Sequence, residues 1–318
     1  MVGGLKTPSE AIPRRAKQKV TMATNFGTSV APCVLVLCMC AAPLRARSGT
    51  TPNIKHIVMG RCFNYITLVN PDIRSDCEEI WRAFEEAVLR QASCDVAAEH
   101  YRHMFRAMPQ TGACDRFLLW SKTRTLVQDY AAVAHHLWTL EDTLVGYMFN
   151  DLIWCGQQEH SDFNFGSCPE WSACVHHPVH SLWRQASKNF AEMACGNVTV
   201  LLNGSIEKAF NRNSMFGSVE LDSLNPQRVH YVNIKVVANL DGPFIESCDG
   251  GSIADLIHIL QTRGFRWTCS DHDRILTMLQ CVHKPEHSAC HTCTDCHPMN
   301  WQIMDKFWRA KTNFRSAK

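Results

Sequence analysis

The chain has 318 residues, a formal net charge of +2, 17 cysteines and 16 histidines, enough length for one large domain or two lobes with a real core. The near-neutral balance, with no dense Lys/Arg stripe interleaved with aromatics, argues against a nucleic-acid role. So many cysteines without evident metal spacing point away from the cytosol and toward an oxidising compartment, where they pair.

The chain starts with a targeting pattern. Arg14, Arg15, Lys17 and Lys19 precede an apolar run from Val30 to Leu44, followed by Arg45, Arg47 and Ser48. The run is about 15 residues long, short of the ~20 that a membrane span needs, and Pro32 interrupts it. Residues 1–47 read as a secretory signal, with Met22 as an alternative start. The rival reading is a single N-terminal anchor with the rest of the chain outside the cell. In either case Cys33, Cys38 and Cys40 leave the disulfide count. The C-terminal segment 293–318 is basic and not apolar, so it carries no lipid-anchor signal.

From Ile54 to about Met108 the pattern is helical, with Ile80, Phe84 and Val88 repeating every fourth residue. Phe117 to Trp120 is a short apolar run, and a helical stretch follows through Trp138. Thr139 to Gly156 reads as one amphipathic helix, with Leu140, Leu144, Met148 and Leu152 on a common face. Thr139 and Asp142 form a capping-box pattern at its start, which leaves Glu141 without a structural task. A loop rich in Gly, Ser and Asn follows, and His180 to Ala194 is helical again. After Cys195 the texture changes. Asn197 to Gly204 reads as a buried strand and Val229 to Leu240 as a second strand. Ser252 to Gly264 is a helix with Gly264 as its C-cap, and Phe265 to Ser270 is a further strand. The strand–helix–strand rhythm predicts a parallel sheet beside a mainly helical lobe, with ligands in the crevice between them.

Fourteen cysteines remain after the leader, an even number that suits complete pairing without giving the connectivity. The tail CHTCTDCH, Cys290 to His297, has the look of a zinc knuckle, but disulfides suit an oxidising compartment better. Two sequons occur, at Asn197 and Asn203. The second sits in a turn pattern and ranks ahead of the first, which lies within a strand pattern.

The segments LLWSK, TLEDTL, WCG, SCPEW, LWRQAS, LLNGS, MFGSVEL and LQCV occur in this order. Together they resemble the ADP-ribosyl cyclase / NAD glycohydrolase family, from about Ile54 to Cys290. The resemblance implies disulfides Cys62–Cys77, Cys94–Cys174, Cys114–Cys195, Cys155–Cys168, Cys248–Cys269 and Cys281–Cys290. Cys293 and Cys296 are extra. It implies a disulfide-rich α/β (α+β) fold: a helical lobe of about 48–113 and 139–195, and a lobe of about 114–138 and 196–292 holding a four-stranded parallel sheet. It also implies cleavage of the nicotinamide–ribose bond of NAD+, followed by capture of the ADP-ribosyl centre by water or by the substrate's own adenine.

That bond leads to a cationic pyridinium, so nicotinamide leaves neutral and needs no general acid. The transition state needs a negative group under the developing oxocarbenium ion. Glu220 matches the family's catalytic glutamate. Trp120 and Trp183 match its two active-site tryptophans, whose indole faces suit a flat cationic ring. Ser187 matches a serine near the ribose. Ser121 and Lys122 stand where the family offers Ser-Arg to the phosphates, and lysine lacks the bidentate fork. Glu141, with Asp142 beside it, matches the residue that touches the nicotinamide amide and influences hydrolysis against cyclisation. Asn150 stands where some relatives carry an aspartate, with Asp151 next to it. Phe216 fits the pattern, whereas Met215 replaces the threonine of hydrolase-like relatives.

These matches imply an extracellular or secreted hydrolase with some cyclase activity. Met215 favours the cyclic product, whereas Cys114 and Cys195 are features of hydrolase-like members. NAD+ is substrate, with NADP+ a second candidate, and neither a metal nor a cofactor is required. A homodimer is a further expectation. A membrane enters only through an uncleaved N-terminal segment. The competing reading is a surface or secreted binding module of the same family that has lost catalysis. The retention of Glu220, Trp120, Trp183 and Glu141 together argues against it.

Overall fold

A computed structural model describes residues 48–291 apart from 110, 135, 136, 158–161 and 272. Residues 1–47, read above as a targeting segment, with Cys33, Cys38 and Cys40, and residues 293–318, with Cys293 and Cys296, lie outside the described residues.

The helices come first. α1 (Ile54–Asn64) runs into a π-helical turn (Tyr65–Val69), and α2 (Cys77–Leu89) is capped by Asp76, whose side chain accepts from the Glu78 and Glu79 amides. Ile80, Phe84 and Val88 are fully buried on one face of α2, as their spacing predicts. α3 (Arg102–Ala107), β1 (Phe117–Ser121) and α4 (Arg124–Val133) follow.

The stretch from Thr139 is not one helix. It splits into a 3₁₀ turn (Leu140–Asp142) and α5 (Leu144–Phe149). Thr143 adopts extended backbone between them and starts the second helix anew: its Oγ1 donates to Leu140 O at 2.6 Å and accepts from the Gly146 amide at 3.1 Å. The expected apolar face survives the break, since Leu140, Leu144, Met148 and Leu152 are all buried. The expected capping box is present, with Asp142 Oδ2 accepting from the Thr139 amide at 2.8 Å.

α6 (Pro178–Met193) leads into β2 (Gly196–Asn203). A second π-helical turn (Phe216–Glu220) and the short α7 (Leu221–Ser223) precede β3 (Val229–Val237). α8 (Gly251–Thr262), β4 (Arg266–Asp271) and α9 (Arg274–His283) follow. Gly264 has φ +78°, as a glycine ending α8 should.

The four strands form one sheet in the order β1-β2-β3-β4, all parallel. Both faces of a parallel sheet are covered, so its inner strands are apolar throughout. Val198, Val200 and Leu202 of β2 join the large core that also holds α2, α5 and α6, while Leu201 turns to a smaller cluster under α4 and α9. The helical segments and one face of the sheet therefore share a continuous core.

All six implied disulfides are formed. The sequons come out in the opposite order of accessibility. Asn197 is exposed, whereas Asn203 is buried with its amide in use: Nδ2 donates to Lys122 O at 3.3 Å and Oδ1 accepts from the Ser205 amide at 2.9 Å. The turn after β2 folds Asn203 inward to hold the loop that follows β1.

Candidate active site

The π-helical turn carrying Glu220 packs between α6 and the end of β1. Single π turns inside helices are frequent at functional sites, because the extra residue re-aims a side chain. Gly217 permits this placement: a Cβ there would collide with Asn211 O and lie 2.8 Å from Arg212 Cα.

Glu220 is only 8% exposed, and Ser187 Oγ donates to its Oε1 at 2.9 Å. Burial pushes its carboxyl up to about 7; the Ser187 hydrogen bond opposes this and the negative charge of Glu141 adds to it. Ser187 sits one turn after Trp183 on α6, so the two share a helix face. The start of α6 is fixed by a buried relay in which Trp154 Nε1 donates to Tyr101 Oη at 3.0 Å and Tyr101 Oη donates to Pro178 O at 2.9 Å.

Glu141 approaches from the 3₁₀ turn. Trp120 Nε1 donates to its Oε2 at 3.4 Å, joining the end of β1 to the turn. Burial raises the Glu141 carboxyl above the usual range, against opposing hydrogen bonds that include Thr139 and Trp120. Asp142 is also raised by burial, but its Oδ2 is taken up by the Thr139 amide and hydroxyl. The two neighbouring acids thus divide: Asp142 caps the turn and Glu141 faces Trp120. Gly146 allows α5 to pack against that turn, since a Cβ there would collide with Leu140 O and lie 2.7 Å from Glu141 Cα.

Ser121 ends β1 and is 8% exposed. Lys122 is exposed with left-handed backbone, φ +57°, which turns the chain sharply at the carboxyl end of the strand. Ligands of open parallel sheets bind at such strand ends. A groove of about 690 Å3 runs from Lys122 and Arg124 past Asn239 to Lys284; neither Glu220 nor Glu141 lines it. Arg124 also reaches Asn150 Oδ1 at 3.1 Å and Asp151 Oδ1 at 2.6 Å, tying the end of α5 to this loop.

The structure therefore brings together Glu220, Ser187, Glu141 and Trp120, with Trp183 half-buried on the face of α6 that carries Ser187. Phe216, which the resemblance implies on the substrate side, is tightly packed beside the site. It is 2% exposed and packs edge-on against Phe210, centroids 6.0 Å apart, so its ring is core. Met215, at the mouth of the π turn, is half-buried. Gly146 and Gly217 were not singled out from the sequence. For Gly146 the available signal was a lone glycine inside a helical pattern, which implies close backbone approach. Among the described residues no group of three or more His, Cys, Asp or Glu side chains is placed to hold a metal ion.

The sequence and the fold have counterparts among known proteins. The chain is 39% identical over 243 residues to mouse ADP-ribosyl cyclase/cyclic ADP-ribose hydrolase 1, covering 76% of this chain and 80% of that protein. It superposes on apo porcine CD38 with a TM-score of 0.65 at 37% identity, covering 71% of this chain and 98% of that one. It superposes on Aplysia cyclase complexed with the substrate NGD and the product cGDPR with a TM-score of 0.72 at 33% identity, covering 76% and 98%. The ADP-ribosyl cyclase family model matches residues 51–290, and the chain belongs to that family.

Proposed function

We propose that the chain cleaves the nicotinamide–ribose bond of NAD+, releasing nicotinamide and passing the ADP-ribosyl centre to water or to the substrate's adenine. The observation that carries this reading is the buried Glu220 carboxylate, oriented by Ser187 and electrostatically linked to Glu141. A buried anion held in place before reaction stabilises a developing oxocarbenium ion more than a solvated one does, because no dipoles need to reorganise. The cationic nicotinamide ring suits the faces of Trp120 and Trp183. Leaving-group departure needs no proton, so the site needs no acid at the nicotinamide nitrogen. The Aplysia cyclase complex, with a dinucleotide substrate and its cyclic product, supports the same reaction class here.

Glu141 takes the nicotinamide end and biases the product, while Ser121 and Lys122 take the phosphates. Met215 disfavours water at the reacting centre through its apolar bulk. The expected product is mainly ADP-ribose with some cyclic ADP-ribose. Six formed disulfides support an extracellular or secreted site of action. No helix among the described residues is long and apolar enough to cross a membrane. Nicotinamide release by the parent and by Glu220→Gln tests the assignment. Loss of at least ~100-fold in the variant supports it, and equal, negligible rates in both would favour the binding-module reading.

A further inference from the structure

The turn bearing Glu141 is gripped from behind by α1 and the π turn that follows it. Tyr65, 2% exposed, donates its hydroxyl to Asp142 O at 2.8 Å, at the residue next to Glu141. Its ring lies against Tyr147 with centroids 5.4 Å apart, and Tyr147 Oη accepts from Asn64 Nδ2 at 2.5 Å. Arg61 Nη1 donates to Met148 O at 3.2 Å and Asn150 O at 2.7 Å, closing the grip at the far end of α5. Of these contacts, the Tyr65 bond alone reaches the 140–142 turn.

We propose that Tyr65 is a positioning residue for the Glu141 carboxylate, acting through the main chain of the Leu140–Asp142 turn. The titratable neighbours of Glu141 are Asp142 on its own turn and Glu220 on the π turn facing it, and its neutral partners are Trp120 and Thr139. Burial pushes the Tyr65 hydroxyl up to about 12, so it remains a donor through the pH range in which Glu220 titrates. Because the charge of Glu141 acts on Glu220, the position of the turn sets how readily Glu220 ionises. Releasing the turn lets Glu141 move away and weakens its hold on the Trp120 indole.

The inference rests on the assigned NAD+ cleavage, and one experiment separates the two. Tyr65→Phe keeps the ring and removes the donor. Tyr147→Phe is the control, since it leaves the bond to Asp142 intact. Steady-state rates with NAD+ across pH are expected to show the acid limb of kcat/KM moved down by about half a pH unit in Tyr65→Phe, with KM raised about threefold and kcat at pH 8 nearly unchanged. Tyr147→Phe should shift neither. Unchanged limb and KM in Tyr65→Phe, with only a lower Tm, would overturn the proposal. If the parent does not turn over NAD+, the pH midpoint of the Trp120 fluorescence decides. That signal, parent minus Trp120→Phe, should move in Tyr65→Phe, and an unmoved midpoint rejects the proposal independently of activity.

Discussion

Ser187 Oγ donates to Glu220 Oε1 across 2.9 Å, and this bond stabilises the charged form of a carboxyl that burial otherwise drives toward neutrality. The balance leaves Glu220 poised near neutral pH. In the proposed reaction Glu220 acts as the anion facing an oxocarbenium ion, so activity is expected to fall as pH drops through about 7. Ser187→Ala removes the donor to the anion and so raises the carboxyl's pKa further. The acid limb of kcat/KM for NAD+ is expected to move up by about one pH unit. A pH–rate profile of the purified variant checks this.

The same poise makes Glu220 a stability cost. Its folded-state pKa lies above the unfolded value, so its contribution to stability is fully present below the unfolded value of 4.5 and is lost as pH rises through about 7. Glu220→Gln carries no such charge. The variant is expected to be more stable than the parent at pH 8, by about 3 kcal/mol, with the gap closing near pH 4. Thermal unfolding at the two pH values measures the difference.

Product choice is assigned to Glu141 and Met215. Glu141→Ala should change the ratio of cyclic to linear product more than it slows NAD+ consumption. Met215→Thr admits water and should lower the cyclic share severalfold, by an amount of about 1 kcal/mol in relative barrier height. Chromatography of both products over a time course reads each ratio. A parent that gives purely linear ADP-ribose would remove the role of Met215.

Gly146 is a packing requirement. Gly146→Ala places a methyl group against Leu140 O and Glu141 Cα, so the turn or α5 must shift. The expected cost is about 2–3 kcal/mol, with loss of activity in the folded fraction. Gly60→Ala is the contrast, because a Cβ there meets nothing within 4 Å in an exposed part of α1. It should stabilise by about 0.5–1 kcal/mol without altering rates. Chemical denaturation of both variants gives the comparison.

Much of the fold was legible because its signals are local. The apolar runs of β2 and β3, the four-residue spacing in α2 and the Thr139–Asp142 cap each depend on a few adjacent residues. The break at Thr143 was not legible. The apolar spacing continues across it, and only the hydrogen bonds of the Thr143 hydroxyl reveal a second helix start. The motif singled out Glu220, Trp120 and Glu141, which the fold brings to one place, and it gave Phe216 a substrate-side position without reporting that its ring packs on Phe210. A phenylalanine at that position reads the same whether its ring faces a crevice or Phe210. Tyr65 was invisible for a related reason. Its function lies in a bond to a main-chain oxygen 77 residues away, and no spacing rule reports such a contact.

The most direct measurement is product analysis of the purified protein incubated with NAD+, alongside Glu220→Gln at equal concentration. Nicotinamide should appear in step with ADP-ribose and a smaller amount of cyclic ADP-ribose, with the variant slower by at least ~100-fold. Equal nicotinamide release by both proteins, or none from either, would contradict the assignment of Glu220 as the group that stabilises the reacting centre.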